Sequence, residues 1–482
     1  MDRFERTATL ARLLRILAAG VLLGAAAASG YGASGGGEVK SCAAPAGEAL
    51  SEKFVVAAGG HDVPVYTARV AAEDHQAFIR AMDAKVDPAQ HCDETAFASF
   101  DLRGSTSVVV TCSSAVASAK VLPASAGITP VIKGNTVSLD VTGPGKLVLE
   151  VNGDVTRSLN IFANPWENHP PKAGDPNVLY FGPGIHEVDC IKVTSGQTVY
   201  IADGAILRER PAGSGPAAFL LTGSNIRLCG RGIIDGSLCP AHSRHLVLGT
   251  GCSDLHIEGV ILRDSSSWTL PIRKSDRVTV RNVKIFGYRG NSDGIDLCNC
   301  RDVFVTDCFV RTWDDLIVVK SDKGEGKVEH VLVTKCVLWN ELAHALSIGA
   351  ELRDDIDDVR FADCDVIHDK GREWTLRIFH CDSAHVWNIR FENIRVAESR
   401  RLISLWIGAT VWSREPERGH IHDVTFRNIR VESGTAQVES KGYDATHLVD
   451  GVTFDHVMLP GRPLGLEDIQ QNAFSQNITV TP

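Results

Sequence analysis

The chain has 482 residues, a formal net charge of −10 at pH 7, 44 glycines and 6% aromatic residues. Its length is sufficient for two domains and at least one large core. The acidic balance and the lack of basic runs argue against a nucleic-acid partner or an anionic membrane surface, and the glycine content favours a turn-rich β protein over a helical one.

Residues 1–36 are predicted to be a signal peptide followed by a flexible leader. Several arginines precede an apolar run from Ile16 to Ala28, which is too short to span a bilayer. Alanines at the end of this run suit a cleavage site, and no cysteine that could carry a lipid follows directly. We therefore expect a secreted or periplasmic protein without stable membrane insertion after cleavage. An uncleaved membrane anchor is the alternative.

Residues 37–165 are predicted to form a β-sandwich domain. Short runs of alternating apolar and polar residues, such as FVVAAGGHDVPVYTARV and ASFDLRGSTSVVVTC, are separated by Gly, Pro, Asn and Asp. This pattern is typical of antiparallel strands in a sandwich. The segment contains no cluster of catalytic residue types, so we expect it to flank or cap the domain that follows.

Residues 166–482 repeat a unit of about 23 to 35 residues from Pro176 onward. Each unit has an alternating strand, then Asn, Asp or Gly, then a second short apolar strand. The first core-type residues of the units are Val199, Ile226, Leu255, Val278, Val303, Val331, Val359, Ile389, Val424 and Val452. Such units must stack on their neighbours to bury a face, which predicts an all-β parallel solenoid. The leucine pattern of leucine-rich repeats is absent, and a β-propeller repeat would be longer.

The cysteines follow the same repeat. Cys308, Cys336 and Cys364 lie 28 residues apart, which predicts buried thiols stacked between coils. The Cys-Asn-Cys sequence at 298–300 lacks further His or Cys partners at zinc-site spacing. We therefore expect neither a bound metal nor a cofactor.

The segment from Asn291 to Ser321 contains the strongest candidate for chemistry. Asp293 lies in one turn, and the adjacent Asp314 and Asp315 follow 21 residues later, about one coil along. Because adjacent strands in a sheet lie ~4.8 Å apart, the three carboxylates should meet on one patch. Their repulsion should raise the pKa of at least one. A raised and an unraised carboxylate together suit acid/base cleavage of a glycosidic bond, whereas solvated turn residues are the alternative.

Four motifs occur in a fixed order in this part of the chain. They are Asn-Ser-Asp at 291–293, Asp-Asp at 314–315, Ala-His-Ala-Leu-Ser-Ile-Gly at 343–349 and Arg-Ile-Phe at 377–379. Together they resemble the polygalacturonases of glycoside hydrolase family 28 over roughly residues 176–460. The resemblance implies a right-handed parallel β-helix and a glycoside hydrolase that cleaves α-glycosidic bonds of a pectin-type polysaccharide or oligosaccharide.

The resemblance also implies roles for single residues. Asp314 matches the general acid that protonates the leaving oxygen. Asp293 and Asp315 match the pair that activates water, which would invert the anomeric carbon. His344 matches a histidine beside the acid that tunes or shares its proton, and Asn291 matches a substrate-binding position.

Two departures from the family pattern concern the cleft. Ala343 and Ala345 stand where the family has glycines, and Phe379 stands where it has a lysine that helps to hold a substrate carboxylate. Lys320 is a candidate to replace that lysine. Arg377 keeps a planar fork that suits a carboxylate or sugar hydroxyls.

Other functions stay open at this stage. A sandwich followed by a β-helix also resembles family 49, the dextranases and isopullulanases, which act on neutral α-glucans. Four tryptophans are candidates for stacking on sugars: Trp313, Trp374, Trp406 and Trp412. A polysaccharide lyase and a non-catalytic carbohydrate-binding solenoid are further alternatives. We expect a monomer whose partner is a polysaccharide or oligosaccharide.

Overall fold

The computed structural model describes residues 37–72, 92–211, 213–369 and 371–482. The predicted signal peptide and leader lie outside these ranges. Among the described residues, no helix is long and apolar enough to cross a membrane.

The first part of the described chain contains eleven strands and one 3-10 turn at Ala124–Ala126. The strands are β1 (Glu38–Lys40), β2 (Phe54–Ala58), β3 (His61–Val63), β4 (Val65–Ala71), β5 (Cys92–Arg103), β6 (Thr106–Cys112), β7 (Ala119–Leu122), β8 (Val131–Lys133), β9 (Thr136–Val141), β10 (Gly145–Val151) and β11 (Asp154–Pro165).

These strands form two sheets that enclose a common apolar core. One sheet has the order β1-β5-β11-β10-β7 with β4 also paired to β5, and the other has the order β3-β2-β6-β9-β8. The inward residues of both sheets, such as Val108 and Leu149, are fully buried. Strands β5 and β11 pair in parallel, unlike the antiparallel pairing that the sequence predicts. Strands of both sheets lie between them in the chain and provide the long crossover that parallel pairing requires.

The second part of the described chain contains 33 strands and one 3-10 turn at Leu466–Asp468. The strands are β12 (Val178–Phe181), β13 (Gly184–Val188), β14 (Ile191–Val193), β15 (Thr198–Ile201), β16 (Ala205–Glu209), β17 (Ala217–Gly230), β18 (Ile233–Asp235), β19 (His245–Glu258), β20 (Ile261–Arg263), β21 (Leu270–Arg273), β22 (Asp276–Arg281), β23 (Lys284–Phe286), β24 (Ile295–Cys298), β25 (Arg301–Thr306), β26 (Phe309–Thr312), β27 (Ile317–Ser321), β28 (Val328–Thr334), β29 (Val337–Asn340), β30 (Leu346–Leu352), β31 (Ile356–Ala362), β32 (Asp365–Asp369), β33 (Leu376–His380), β34 (His385–Glu392), β35 (Arg395–Glu398), β36 (Arg401–Ile407), β37 (His420–Arg427), β38 (Arg430–Ser433), β39 (Gln437–Lys441), β40 (Val449–Asp455), β41 (Met458–Leu459), β42 (Arg462–Pro463), β43 (Ile469–Gln471) and β44 (Ser475–Thr481).

Parallel pairing between coils arranges these strands as three faces of a β-helix. Face A contains β14, β21, β24, β27, β30, β33, β36, β39 and β43, and face B contains β12, β15, β22, β25, β28, β31, β34, β37, β40 and β44. Strands β17 and β19 are long and contribute to both faces. Face C contains β13, β16, β18, β20, β23, β26, β29, β32, β35, β38, β41 and β42, of which the last two pair antiparallel. The all-β solenoid predicted from the repeat is confirmed.

The register on face B agrees with the repeat except at its start. From Leu255 onward, the predicted core residues pair with one another in chain order through Val452. Val199, however, pairs with Leu228 and not with the predicted Ile226. Ile226 and Leu228 lie two residues apart and are both fully buried. An alternating pattern therefore cannot show which of them pairs with Val199.

The backbone conformation of the turn between faces B and C accounts for the polar residue within each repeat. One residue of this turn adopts a left-handed conformation with φ between 52° and 56° in seven successive coils. These residues are Asn282, Asp307, Lys335, Asp363, Asn393, Asn428 and His456. Asn and Asp enter this region more readily than other non-glycine residues, because their short side chains hydrogen-bond locally.

Identical side chains stack along the inside of the solenoid. The rings of Phe361, Phe391, Phe426 and Phe454 lie 4.8–5.2 Å apart between centroids on successive coils. In the neighbouring turns, Cys308, Cys336 and Cys364 are fully buried, as their spacing predicted. Each coil therefore completes the burial of the one before it.

The sandwich packs along the side of the solenoid against face C. Phe97 and Phe162 of the sandwich contact Phe286 and Phe309 of face C, with ring centroids 5.2–6.0 Å apart. The same buried cluster includes Trp339 of β29. These contacts make residues 37–482 one structural unit.

Ion pairs surround this apolar contact. Arg231 lies 2.5 Å from Asp101, and Arg263 lies 2.7 Å from Glu48. All four side chains are less than a tenth exposed. Buried ions must be paired, so these contacts fix how the sandwich sits on face C.

Replacing Phe286 by Ala should lower the free energy of unfolding by about 3–5 kcal/mol, because it leaves a cavity among fully buried rings. Chemical denaturation of the two proteins measures the difference. Val55→Ala serves as a control because Val55 is 65% exposed. Equal stability of Phe286→Ala and the parent chain would show that this aromatic cluster does not hold the sandwich in place.

Candidate active site

The site is built from turns that connect face C to face A. The turn before β24 contains Asp293, the turn before β27 contains Asp314 and Asp315, and the turn before β30 contains His344. The first core residues of these strands and of β33 pair in order as Ile295, Ile317, Leu346 and Leu376. Since the strands are in register, the turns before them stack as well.

This stacking brings the three predicted carboxylates together. One carboxylate oxygen of each of Asp293, Asp314 and Asp315 lies within 4.8 Å of the other two. Asp293 and Asp315 are buried, whereas Asp314 is partly exposed. We call this group the aspartate trio.

Asp314 is the member of the trio without a cationic partner in the contacts described. Its Oδ2 accepts a hydrogen bond from the Asn291 backbone N–H at 3.1 Å, and its Oδ1 accepts one from the Asp315 N–H at 3.0 Å. Burial, together with the charges of Asp293 and Asp315, raises the pKa of Asp314 to about 8. Its side chain therefore keeps a proton at neutral pH.

Asp315 has the opposite environment. Burial acts to raise the pKa of Asp315, but the charge and hydrogen bond of His344 outweigh it, and the pKa is lowered. The His344 Nδ1 lies 2.5 Å from Asp315 Oδ1, and its Nε2 lies 2.9 Å from Arg377 Nη1. Asp315 is thus held as an ionised carboxylate next to a protonated one.

Lys320 lies beneath the trio and is 5% exposed. Its Nζ donates to Asp293 Oδ2 at 3.1 Å, lies 3.0 Å from Asp296 Oδ1, and sits 3.8 Å from the centre of the Trp268 ring. Burial raises the pKa of Asp293 well above its ordinary value, although Lys320 opposes this shift. Burial likewise raises the pKa of Asp296 to about 6.

Asp296 and Trp268 were missed by the sequence reasoning. Asp296 stands three residues after Asp293, and a charged residue within an otherwise apolar four-residue strand was an available signal. Trp268 precedes β21, the face A strand one coil before β24. No pattern in the sequence connects Trp268 to Lys320, because the contact depends on the stacking of coils.

The trio opens into a cleft of about 500 Å³. Its lining includes Trp268, Asn291, Asp293, Asp314, Asp315, Lys320, Leu342, Ala343, His344, Ala350, Glu351, Arg372, Glu373, Arg377, Phe379, Thr410, Val411 and Trp412. All seven residues predicted for the site are therefore in one place. We call this surface the cleft.

The four candidate tryptophans have different positions. Trp412 lines the cleft and is 49% exposed, so it is available to a ligand. Trp313 and Trp374 are buried, and Trp406 packs on Phe379 with centroids 5.4 Å apart. Packing within the protein therefore accounts for three of the four.

Arg377 is held on three sides by the protein. Its Nη1 lies 3.0 Å from Glu373 Oε2 and 2.9 Å from His344 Nε2, and its guanidinium carbon lies 3.8 Å from the centre of the Phe379 ring. The lysine expected from the family is thus replaced by a ring that stacks on Arg377.

Carboxylates grouped in this way are also potential ligands for a cation. Among the described residues, the aspartate trio is the group of acidic side chains whose atoms are close enough to hold one. Asp293 already directs Oδ2 to Lys320, and His344 occupies Asp315 Oδ1. Lys320 and His344 therefore already engage oxygens that a metal ion would need.

The fold and the cleft place the protein among parallel β-helix proteins with a group of carboxylates on one face. The sequence model of glycosyl hydrolases family 28 matches residues 235–477, half of the chain, including the whole trio. The chain therefore belongs to glycosyl hydrolase family 28.

Curated relatives named as polygalacturonases match part of the chain. An exopolygalacturonase of Arabidopsis thaliana is 26% identical over 196 residues, which are 38% of this chain and 43% of that protein. The chain spans less than half the length of the curated relatives that it matches.

Two solved structures share the fold. The exopolygalacturonase from Thermotoga maritima has a TM-score of 0.51 at 16% identity and covers 63% of this chain and 84% of its own. Dex49A from Penicillium minioluteum has a TM-score of 0.62 at 15% identity and covers 92% of this chain and 96% of its own. These likenesses concern the fold, which is the predicted right-handed β-helix. The match to Dex49A extends over the sandwich as well, as the resemblance to the layout of family 49 predicted.

Replacing Asp314 by Asn should stabilise the protein more at about pH 8 than at about pH 4. The pKa of Asp314 is raised in the folded protein, so the folded state binds more protons than the unfolded state between the ordinary carboxyl pKa and about 8. The stability of the parent chain therefore falls as the pH rises through this window, whereas an amide has no proton to lose. Thermal unfolding at both pH values measures the difference.

Asp140→Asn is the matched control, because Asp140 is exposed on β9 of the sandwich. An equal shift in Tm at the two pH values for Asp314→Asn would contradict the raised pKa.

Proposed function

We propose that the protein is a glycoside hydrolase that cleaves α-glycosidic bonds of a pectin-type polysaccharide or oligosaccharide. The observation that carries the proposal is the pairing of a carboxyl group that keeps its proton with one that does not. The pKa of Asp314 is raised to about 8, and that of the adjacent Asp315 is lowered. Glycoside hydrolysis requires an acid and a base of this kind on the two sides of the bond.

Asp314 is the proposed general acid. It is the partly exposed member of the trio, and its two backbone hydrogen bonds fix the carboxyl group at the edge of the cleft. A neutral acid at this position can give its proton to the glycosidic oxygen as the bond breaks.

Asp315 and Asp293 are proposed to activate the water. Asp315 is ionised and can accept a proton. Asp293 uses Oδ2 for Lys320, and its Oδ1 has no hydrogen-bond partner among the described residues. The pair can therefore bind a water through Asp293 while Asp315 takes its proton.

His344 and Arg377 are proposed to hold the base in its ionised form. His344 bonds to Asp315 through Nδ1, and Arg377 faces the other ring nitrogen. The two side chains thus connect Asp315 of the trio to the wall of the cleft. Asn291 is proposed to bind substrate with its side chain, since its backbone N–H is used by Asp314.

We also propose that the reaction inverts the anomeric carbon, as the family resemblance implies. The nearest oxygens of the trio lie within 4.8 Å of one another, whereas inverting enzymes often keep about 6.5–9.5 Å between the two carboxyl groups. We place the attacking water beside Asp293 and Asp315, on the face of the sugar opposite the leaving oxygen that Asp314 protonates.

The substrate class rests on the family and its relatives. One relative is named an exopolygalacturonase, which favours a galacturonide substrate. A neutral α-glucan is the second candidate, because the family 49 layout matches over both parts of the chain in Dex49A. Residues 1–36 are proposed to direct the protein out of the cytoplasm, because such polymers occur outside the cell.

Asp314→Asn should lower kcat about 10²–10⁴-fold, because the amide cannot protonate the leaving oxygen. Asp315→Asn and Asp293→Asn should cause losses of the same order by preventing activation of water. New reducing ends released from polygalacturonate, pectin and dextran provide the measurement.

Asp140→Asn in the sandwich should keep the parent rate. Undiminished hydrolysis by Asp314→Asn would overturn its role as the acid. Products with unsaturated sugars would instead identify a lyase, and any turnover would exclude a purely binding function.

The first sugar released should have the anomeric configuration opposite to that of the cleaved bond. Proton NMR of the product, recorded before mutarotation, measures this. Release of the same anomer would show that a member of the trio acts as a nucleophile, in agreement with the short distance between the carboxylates.

A further inference from the structure

The cations of the cleft already have carboxylate partners within the protein. Among the described lining residues, three carry a permanent positive charge: Lys320, Arg372 and Arg377. Lys320 pairs with Asp293 at 3.1 Å and Arg377 pairs with Glu373 at 3.0 Å, and both cations are buried. Arg372 meets Glu373 through Nε at 3.5 Å, but its side chain is 55% exposed. A ligand carboxylate at Lys320 or Arg377 would therefore have to compete with groups of the protein.

Carboxyl groups lie beside these cations in the cleft: Asp293, Asp314, Asp315, Glu351 and Glu373. Burial raises the pKa of Asp314 and Asp293, so the negative charge next to a ligand comes from the other carboxylates, among them Asp315 and Glu373. A ligand with a carboxylate on every sugar would bring further negative charge next to them. Placing a charge in a cleft without a free partner of opposite sign costs free energy that a neutral sugar does not incur.

Arg377 is the cation whose contacts within the protein most limit the binding of a ligand carboxylate. Its Nη1 is taken by Glu373 and His344, and its Nε is buried without a hydrogen-bond partner. Bidentate binding of a carboxylate uses two nitrogens of the fork. One such pair here includes the buried Nε, and the other includes Nη1, which already faces Glu373, so Nη2 is left as a single donor. Glu373 thus competes with an anionic sugar for Arg377.

The wall next to Arg377 is aromatic and apolar. Phe379 stacks on the guanidinium, and Trp412 and Val411 are exposed on the turn between β36 and β37. This turn is held in place because Asp382 Oδ1 accepts the backbone N–H groups of Arg414 at 2.7 Å and Glu415 at 3.0 Å. An exposed aromatic surface of this kind suits the apolar face of a sugar ring.

We propose that the sugar bound against Arg377, Phe379 and Trp412 is an uncharged pyranose unit and not a uronate anion. This inference rests on the proposed function and narrows its substrate. An uncharged unit is either a methyl-esterified galacturonide or a neutral sugar, and both can accept a hydrogen bond from Arg377 through their oxygens. Glu373 and Phe379 are the residues that set this preference.

Binding to the full-length Asp314→Asn protein tests the inference apart from turnover. Titration calorimetry with trigalacturonate, its trimethyl ester and isomaltotriose should show at least about tenfold tighter binding of an uncharged trisaccharide than of trigalacturonate. Tighter binding of the ester identifies an esterified galacturonide, and tighter binding of isomaltotriose identifies a neutral glycan.

Two substitutions test the residues named. In the same background, Glu373→Gln should free Arg377, and Phe379→Lys should add a cation. Each should tighten trigalacturonate binding about tenfold and leave binding of the uncharged sugar within about threefold. Glu432→Gln, an exposed position on β38, removes the same charge outside the cleft and should change neither affinity.

If the Asp314→Asn protein without a further substitution binds trigalacturonate most tightly of the three sugars, the inference is wrong. The proposed hydrolase function would not be affected by that result. Binding of none of the three sugars would also overturn it. Preferential binding of an uncharged sugar without turnover by the unsubstituted enzyme would support the inference while the proposed hydrolysis fails.

Discussion

The in-register pairing of face A is the constraint on which the candidate site depends. Strands β24, β27, β30 and β33 stack with Ile295, Ile317, Leu346 and Leu376 in one row. Adjacent strands lie ~4.8 Å apart, so the turns before them have little freedom to separate. Carboxylates from two coils and a histidine from a third meet for this reason. A shift of one residue in any of these strands would turn its core side chains outward and move its turn away.

Division of roles within the trio follows from the neighbours of each carboxylate. His344 lies at hydrogen-bond distance from Asp315 and lowers its pKa, whereas burial keeps the pKa of Asp293 raised although Lys320 donates to it. Burial and the charges of Asp293 and Asp315 raise the pKa of Asp314 to about 8, and the hydrogen bond from the Asp315 N–H only partly opposes this shift. The same residue type thus gives an acid and a base, because their surroundings differ.

The sandwich contributes to this arrangement from the opposite end of the turns. Strands β23 and β26 lead into the turns that contain Asp293 and the Asp314–Asp315 pair. Their residues Phe286 and Phe309 pack on Phe97 and Phe162 of the sandwich. The beginning of each of these turns is therefore anchored in a buried contact, and its end is anchored in the core of face A. A turn held at both ends can keep charged side chains in place.

The amino-acid sequence was sufficient to predict the solenoid, since repeated units with a period of two can bury a face only by stacking. It also determined which carboxylates meet, because 21 residues separate Asp293 from Asp314, about one coil. It did not determine the first register step, at Val199, because Ile226 and Leu228 are equally apolar. Only the three-dimensional structure revealed the partners of Lys320, the contacts of Arg377 with Glu373 and Phe379, and the exposure of Trp412 but not of Trp313 or Trp374. Those contacts join side chains from different coils, and their distances depend on packing that no local pattern in the sequence encodes.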